Sequence, residues 1–425
     1  MSPETSRPLS APRVASYGGF TGRDVRAANS SAALTIILRE GGDASRARIA
    51  QLTGSTRATV SRLVEELVTA GLVTESQVPA QGRGRPAIAL KVTPGALIAL
   101  GLEVNVTYMT ARVIDLAGQE LAAETITHDS AADDVPTILD NLHDLGQRVL
   151  SEGVSRARDV AAEARADNGP GPEPRYMGCG LALPGLVSTD EVAIAPNLGW
   201  RHVPLSKVRE TLSDLRLLRV ANEADLAAFA FAHPRPGAAD GPDSFIYVSG
   251  EYGVGGGIIV DHAPMPGAHG WSGEIGHICV DPAGPRCACG ALGCLESYLG
   301  LGALTQAAGL PQPATVTELV TRAQAGDQRV LDVLGQGGLA LGRALAAVIN
   351  TVDIPLVVLG GHVSELAPWL LEGAREELSR RVPHAEWLQP QIEVNDDSVP
   401  LASTGAAAHV LQMAVNDPLA ALGIS

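Results

Sequence analysis

Apolar residues recur at helical spacing from Val25 to about Ala70, and past Thr93 they give way to short continuous runs. From Val25 to Arg39, Ala33, Ile36 and Ile37 share one face, which predicts a helix that stops before Gly41-Gly42. Ser45 is placed to cap a second helix, Arg46 to Thr53, which meets Gly54. A third helix, from about Ser55 to Ala70, carries Val60, Leu63, Val64, Leu67 and Val68 at i, i+3, i+4, i+7 and i+8, with Gly71 as its stop. Leu72 to Glu75 and Ile88 to Val92 read as two short strands around the polar loop Ser76 to Pro86.

After Thr93-Pro94 the texture changes. Strand-like runs at Leu97 to Val106, Thr110 to Leu116, Gly178 to Leu183, Phe245 to Val248, Gly256 to Val260 and Leu356 to Leu359 alternate with helical patterns, which predicts an α/β body. A chain of 425 residues, 45% of them hydrophobic, exceeds the size at which a single core stops growing, about 250 to 300 residues. The pattern therefore divides into a tail at 1–20, a head at 21–93 and a body at 94–425, the head with its own apolar face and expected to fold by itself. Ser155 to Pro174 is charged, Gly/Pro-rich and aperiodic, and reads as a surface insertion. No run of about 18 apolar residues and no basic-then-apolar leader occurs, so a cytoplasmic protein without membrane spans is expected.

Charge sharpens the division. The chain is net −16, yet residues 1–95 hold 12 basic and 7 acidic residues against 19 and 40 in the remainder. A basic head on an acidic body suits contact with DNA phosphates by the head alone.

The head's chemistry agrees. Small Ala50, the turn at Gly54 and the plugs Val60 and Leu63 have the spacing of a helix-turn-helix, and the order helix, helix, helix, hairpin is that of a winged helix. The second helix of the pair opens with Ser55, Thr56, Arg57, Thr59 and Arg62, which offer hydroxyl and guanidinium donors to a major groove. Gly82-Arg83-Gly84-Arg85-Pro86 places Arg83 and Arg85 on an extended loop suited to a narrow minor groove. Double-stranded operator DNA is the expected partner.

Five cysteines are an odd number for a disulfide framework, and three of them crowd into Cys287 to Cys294. Cys287, Cys289 and Cys294 with His277 make a closed tetrahedral set for structural zinc, one ion in a knot at 277–294. Buried thiols or a redox group are the alternatives. Cys179 and Cys279 stand in apolar runs and read as core thiols.

Gly273-Glu274-Ile275-Gly276-His277, followed by Cys287-Ala288-Cys289-Gly290-Ala291-Leu292-Gly293-Cys294-Leu295-Glu296, resembles the signature of the ROK (repressor, open reading frame, kinase) family. Leu183-Pro184-Gly185, Pro196-Asn197-Leu198-Gly199-Trp200, Asn222-Glu223-Ala224-Asp225 and Leu359-Gly360-Gly361 fall in that family's order, over about residues 97 to 415. The resemblance implies a two-lobed, actin-like (ribonuclease H-like ATPase, sugar kinase type) domain. It also implies a sugar held by Asn197, Asn222, Glu223, Glu274, His277 and Glu296. Carboxylates and amides of this kind accept from and donate to sugar hydroxyls.

Kinases of that family carry Asp-x-Gly-Gly-Thr-Lys at the first strand, where this chain has Glu103-Val104-Asn105-Val106-Thr107-Tyr108. The second phosphate loop, Gly-Thr-Gly in such kinases, reads Glu251-Tyr252-Gly253, and the general-base Asp is replaced by Glu223. Side chains where bare backbone should cradle phosphate, and a carboxylate where triphosphate should lie, point to a sugar-responsive regulator and away from an enzyme. A repressor acting as a homodimer or homotetramer is the first reading, and an active zinc-containing sugar kinase with an appended DNA-binding domain is the second. Activators share every motif, and the sequence does not name the sugar.

Overall fold

The computed structural model describes residues 22–78, 87–164, 172–311, 314–383, 385–395 and 401–424. Three helices, α1 (Gly22–Glu40), α2 (Arg46–Thr53) and α3 (Arg57–Thr69), precede an antiparallel hairpin of β1 (Val73–Val78) and β2 (Ala87–Val92). Local chemistry sets these bounds. Ser45 Oγ accepts from Arg48 N to cap α2, Gly54 closes it at φ 68°, and Thr56 caps α3 by accepting from Thr59 N. The third helix thus starts two residues later than its apolar pattern suggests. The tail at 1–20 and the loop bearing Arg83 and Arg85 lie outside the described residues.

The first lobe is built on a five-stranded sheet of β3 (Leu97–Val104), β4 (Tyr108–Asp115), β5 (Glu120–Thr127), β6 (Arg175–Leu183) and β10 (Leu217–Asn222). Its order is β10-β6-β3-β4-β5, parallel from β10 to β3 and antiparallel beyond. One face is covered by α4 (Val135–Glu163), and a small sheet of β7 (Leu186–Val187), β8 (Glu191–Ala195) and β9 (Trp200–Pro204), with α5 (Leu205–Thr211), flanks it. Residues 155–163, expected in a surface insertion, instead complete α4. Val154, Ala157, Val160 and Ala161 continue its apolar stripe through the charged residues between them, and the last three are buried. Residues 165–171 lie outside the described set.

In the second lobe β11 (Phe245–Gly250), β12 (Val254–Val260), β13 (Ala263–Pro264), β14 (Leu356–Gly360) and β15 (Gln391–Val394) form a sheet in the order β13-β12-β11-β14-β15. Around it pack α7 (Glu296–Leu299), α8 (Leu301–Ala307), α9 (Val316–Gln324), α10 (Gln328–Val352), α11 (Gly361–Glu365) and α12 (Ala367–Arg381). By length and composition α10 could cross a membrane, yet twelve of its residues are buried and it packs along α12 as a core helix.

Two helices join the lobes. One is α6 (Glu223–Ala232), against β11 and β12; the other is α13 (Leu401–Asn416), against β3 and β6, and the two pack on each other. Gly101 and Gly180 permit this closeness, because a Cβ at either would strike the backbone of Ser403 or Ala406. The chain ends in α14 (Pro418–Ala421). The apolar face of the head is not private to it: Ala33, Leu34, Ile37 and Leu38 of α1 share a core with Phe229, Ala407, Leu411 and Val415 of the body. The boundary near residue 93 is a change of topology within a shared core, not a gap between two cores.

Candidate functional site: a sugar pocket, a metal cluster and a DNA-facing helix

Loop ends and helix starts from both lobes converge at the cleft. Asn222 ends β10, and its Oδ1 caps α6 by accepting from Ala224 N at 2.7 Å while Nδ2 donates to Gly185 O at 2.9 Å. The next residue, Glu223, is thereby pinned at the first turn of α6. Its Oε2 is buried without a hydrogen-bond partner, and burial, followed by the charges of Glu103, Glu251, Glu296 and Glu274, pushes its carboxyl well above the usual range.

Glu223 borders a cavity of about 60 Å³ also lined by Asn197, Asn222, Glu274, His277 and Glu296. All six residues expected to hold sugar therefore meet in one place, although they span a hundred positions of sequence. Glu296 Oε2 accepts from Val254 N at 3.1 Å, and a Cβ on Gly253 would strike that oxygen, so only glycine at 253 leaves Glu296 in place. Burial also raises the carboxyl of Glu274, against the lowering effect of His277. The amide of Asn222 is spent on shaping the turn, which limits what it can offer a ligand.

Beneath this pocket, the donor atoms of His277, Cys287, Cys289 and Cys294 lie within 4.8 Å of one another. Cys289 Sγ and Cys294 Sγ are 3.8 Å apart, and His277 Nδ1 is 3.8 Å from Cys287 Sγ. A tetrahedral ion with bonds of about 2.3 Å to sulfur has ligand edges of about 3.8 Å, so the donor set fits a metal of zinc's size. Gly290 at φ 98° and Gly293 at φ 67° turn the loop around the site. The other nitrogen of His277, Nε2, faces Glu274 Oε2 at 3.8 Å. Cys179 is buried as expected and its thiol is pushed up to about 12 by burial, but Cys279 is exposed. Its neighbours Ile278 and Val280 are only half-buried, because this segment bridges to Cys294 at the edge of the knot and never enters a sheet interior.

The residues read from the sequence as departures from the kinase motifs bond to one another. Tyr108 Oη donates to Glu103 Oε1 at 2.8 Å and lies 3.3 Å from Glu251 Oε2. Glu103 is fully buried at the end of β3 and accepts from Ser403 N with its second oxygen.

A profile of the ROK family matches residues 172–413, more than half the chain, and one of the MarR family matches residues 27–84. The chain belongs to the ROK family. Among ROK relatives, the xylose repressor of Bacillus subtilis is 28% identical over 342 residues, covering 80% of this chain and 83% of that protein. The N-acetylmannosamine kinase of Salmonella agona is 32% identical over 273 residues, 63% of this chain and 87% of the kinase. A solved ROK family transcriptional regulator, a homologue of the Escherichia coli Mlc protein, superposes with TM-score 0.71 at 23% identity over 94% of this chain and 99% of that one. A Streptomyces griseus ROK glucokinase, solved with glucose and AMPPNP, gives TM-score 0.57 at 26% identity over 74% and 99%. The match to the regulator covers 94% of this chain, head included, whereas the two kinase matches cover 63% and 74% of it.

In the head, Arg57 and Arg62 are exposed and pair with no carboxylate among the described residues, while Arg46 and Arg48 are committed to Glu75 and Glu40. Ser55 is half-buried at the start of the same turn. The Thr56 hydroxyl is occupied as the cap of α3 and bonds to Thr59 Oγ1 at 2.9 Å, so these two shape the helix start and leave the arginines as its free donors.

The sequence pattern did not disclose Arg235. It stands just after α6, donates from Nη1 to Leu38 O at 3.0 Å and from Nη2 toward Arg39 O at 3.4 Å, and is held by Asp240 through Nε at 2.7 Å. The Pro234-Arg235-Pro236 turn is its only local signal.

Proposed function

We propose that this ROK family member is a sugar-responsive transcription repressor. Its winged head binds a palindromic operator, its cleft takes a sugar effector, and two or four copies act together in the cytoplasm. The observation that carries the reading is the contrast within one cleft. The sugar-side residues converge on a cavity, while the phosphate side is lined by the hydrogen-bonded acidic group Glu103, Tyr108 and Glu251. The placement of a carboxylate and a tyrosine where triphosphate and its lysine would lie opposes nucleotide binding by charge. The relatedness to xylose repressors supports a carbohydrate effector. An active kinase is the second reading, favoured by the N-acetylmannosamine kinase relatives.

The cluster at His277 would hold one structural zinc. The four residues leave no ligand position for a reacting water, so the ion supplies cross-linking of the loop, and His277 is fixed by one ring nitrogen with the other turned toward Glu274.

Coupling between cleft and head runs along α6. The first turn of α6 carries Glu223 at the sugar pocket, and just past its far end Arg235 holds the C-terminal carbonyls of α1. A guanidinium there is favoured by the helix dipole as well as by the hydrogen bonds. A sugar that moves Glu223 moves this clamp, and its differential affinity for the two arrangements sets operator release. The deciding experiment is a thermal-shift screen of pentoses, hexoses and N-acetylated hexoses, followed by operator titration with each hit. Stabilisation by one sugar class, with weakened operator binding in its presence, is the expected result.

A further inference from the structure

A second and larger cavity adjoins the sugar pocket and shares Asn105, Glu223 and Tyr252 with it. Its volume is about 490 Å³, within the range of small-molecule sites, about 300 to 1,000 Å³. Four carboxylates reach its wall from separate elements: Glu103 from β3, Glu223 from α6, Glu251 after β11 and Glu365 from α11. Tyr108, Tyr247 and Tyr252 complete the wall, and among the described residues no lysine or arginine lines it.

The hydrogen-bond accounting shows what is missing. Tyr108 has one hydroxyl proton and two carboxylates beside it, Glu103 Oε1 at 2.8 Å and Glu251 Oε2 at 3.3 Å. The proton goes to the nearer, and the second oxygen of Glu103 is satisfied by Ser403 N. Glu251 is left either to carry a proton itself or to face a lone pair. Glu223 Oε2 is buried with no partner at all. At one cavity, Glu223 thus has an oxygen without a donor, and Glu251 has only a longer share of the single Tyr108 proton.

We propose that this cavity is a second ligand site, distinct from the sugar pocket, and that it takes a compact organic cation with an ammonium group. An ammonium brings three N–H donors and no acceptor, which matches the deficit at Glu223 and Glu251. Three aromatic side chains in the wall, Tyr108, Tyr247 and Tyr252, suit a cation better than a neutral amine. A phosphorylated ligand meets only like charge, and a bare metal ion leaves most of the volume and the aromatic wall unused.

Protonation gives the site a distinguishing signature. Burial, then the charge of Glu103, pushes the carboxyl of Glu251 up to about 8, against the lowering hydrogen bond of Tyr108, and Glu365 raises it further. Glu223 lines the same cavity, and His362 of α11 meets Glu251 at its backbone carbonyl, by Nδ1 at 2.7 Å, with Nε2 on Leu299 O at 2.8 Å. At neutral pH the empty cavity therefore holds a proton on Glu251, which an arriving ammonium displaces.

The test is calorimetry on the full chain with ethanolammonium, putrescine and tetramethylammonium chlorides, against sodium chloride of matched ionic strength. Saturable binding is expected, with heats that change with the ionisation enthalpy of the buffer because a proton is released. Affinity should rise as pH climbs through about 8. Glu251→Gln should weaken binding about tenfold, the loss expected on removing one partner of a buried charge pair. Glu365→Gln, at an exposed position on the rim, should weaken it less while sugar and operator affinities stay unchanged. Absence of saturable heat with every ammonium probe, binding unaltered in both variants, or saturation by magnesium or calcium alone would each overturn the proposal.

Discussion

Arg235 Nη1 lies 3.0 Å from the carbonyl oxygen of Leu38, and this one bond ties the end of a helix that starts at the Glu223 cavity to the end of a helix in the winged head. Replacement by alanine leaves the carbonyls of Leu38 and Arg39 to water and frees Asp240. The shared core of α1 with α13 remains, so the chain should fold with a loss of about 1 to 3 kcal/mol, as for a charged hydrogen bond. Sugar affinity should be unchanged, while the sugar-induced fall in operator affinity should shrink severalfold. Operator titrations with and without sugar measure it, and an unchanged ratio would remove Arg235 from the path.

For the head, Arg57→Ala with Arg62→Ala should weaken specific operator binding more than tenfold with folding intact, since each good base contact contributes about 1 to 3 kcal/mol. Both side chains are exposed and free of carboxylate partners among the described residues, so little internal structure depends on them. Removing Arg83 and Arg85 should instead flatten the salt dependence of binding, as expected for contacts to phosphate or the minor groove. Equal affinity in the first variant and an equal salt slope in the second would leave the head without its proposed DNA contacts.

Sugar with Mg-ATP should yield no sugar-dependent ADP. The cavity bordered by Tyr108, Glu103 and Glu251 is acidic and has no lysine or arginine among its described lining residues, which disfavours a triphosphate. Steady ADP release in a coupled assay would promote the kinase reading and displace the repressor-only one.

How much of this was legible in the sequence depended on the range of the interactions concerned. Ser45, Gly54 and the stripe Val60, Leu63, Val64, Leu67 act within a few residues, and the elements they predict are present. The ligand cluster was legible because Cys287, Cys289 and Cys294 are close in sequence and His277 stands only ten residues before them. The continuation of α4 through residues 155–163 was missed because charged residues between Val154, Ala157 and Val160 hid a stripe one residue wide. Arg235, the shared core between α1 and α13, and the proton deficit at Glu251 depend on partners 143 to almost 400 residues away, which no local pattern reports. Cys279 was misjudged because an apolar run signals burial only if a sheet forms over it, and here it borders a loop.

Stability should fall as pH rises through the neutral range. The Glu251 carboxyl moves from its ordinary 4.5 to about 8 on folding, so between those values the folded chain holds a proton that the unfolded chain has released. The unfolded state then binds fewer protons, and this group lowers the unfolding free energy by up to about 1.4 kcal/mol per pH unit across that window, with no effect below it. Burial raises Glu103 and Glu223 as well, which adds to the same slope. In Glu251→Gln the slope should flatten, and the variant should be more stable than the parent at pH about 8 and similar at pH about 4. Thermal melts across this range test it, and parallel curves for the two proteins would show that Glu251 is ionised in the folded chain.

Cys289→Ser tests the zinc and its tie to the sugar together. Cys289 is exposed at the rim of the cluster, so the substitution costs little packing and removes one of four thiolate or imidazole ligands. Zinc content should fall from about one ion per chain, because three ligands hold the ion less tightly than a closed set of four. Without the ion, Nδ1 of His277 loses its anchor, and Nε2 no longer holds its place opposite Glu274 Oε2. Glu296, with Oε1 3.8 Å from Cys287 Sγ, is released from the same side. Sugar affinity should therefore fall with the metal, since ligands of this kind lose their orientation when the ion goes. The head packs on α13 and α14, remote from the knot, so operator binding should persist. In cells the variant should remain bound to its operator in the presence of inducer. Full zinc content in Cys289→Ser, or loss of zinc with undiminished sugar affinity, would separate the metal from the sensor.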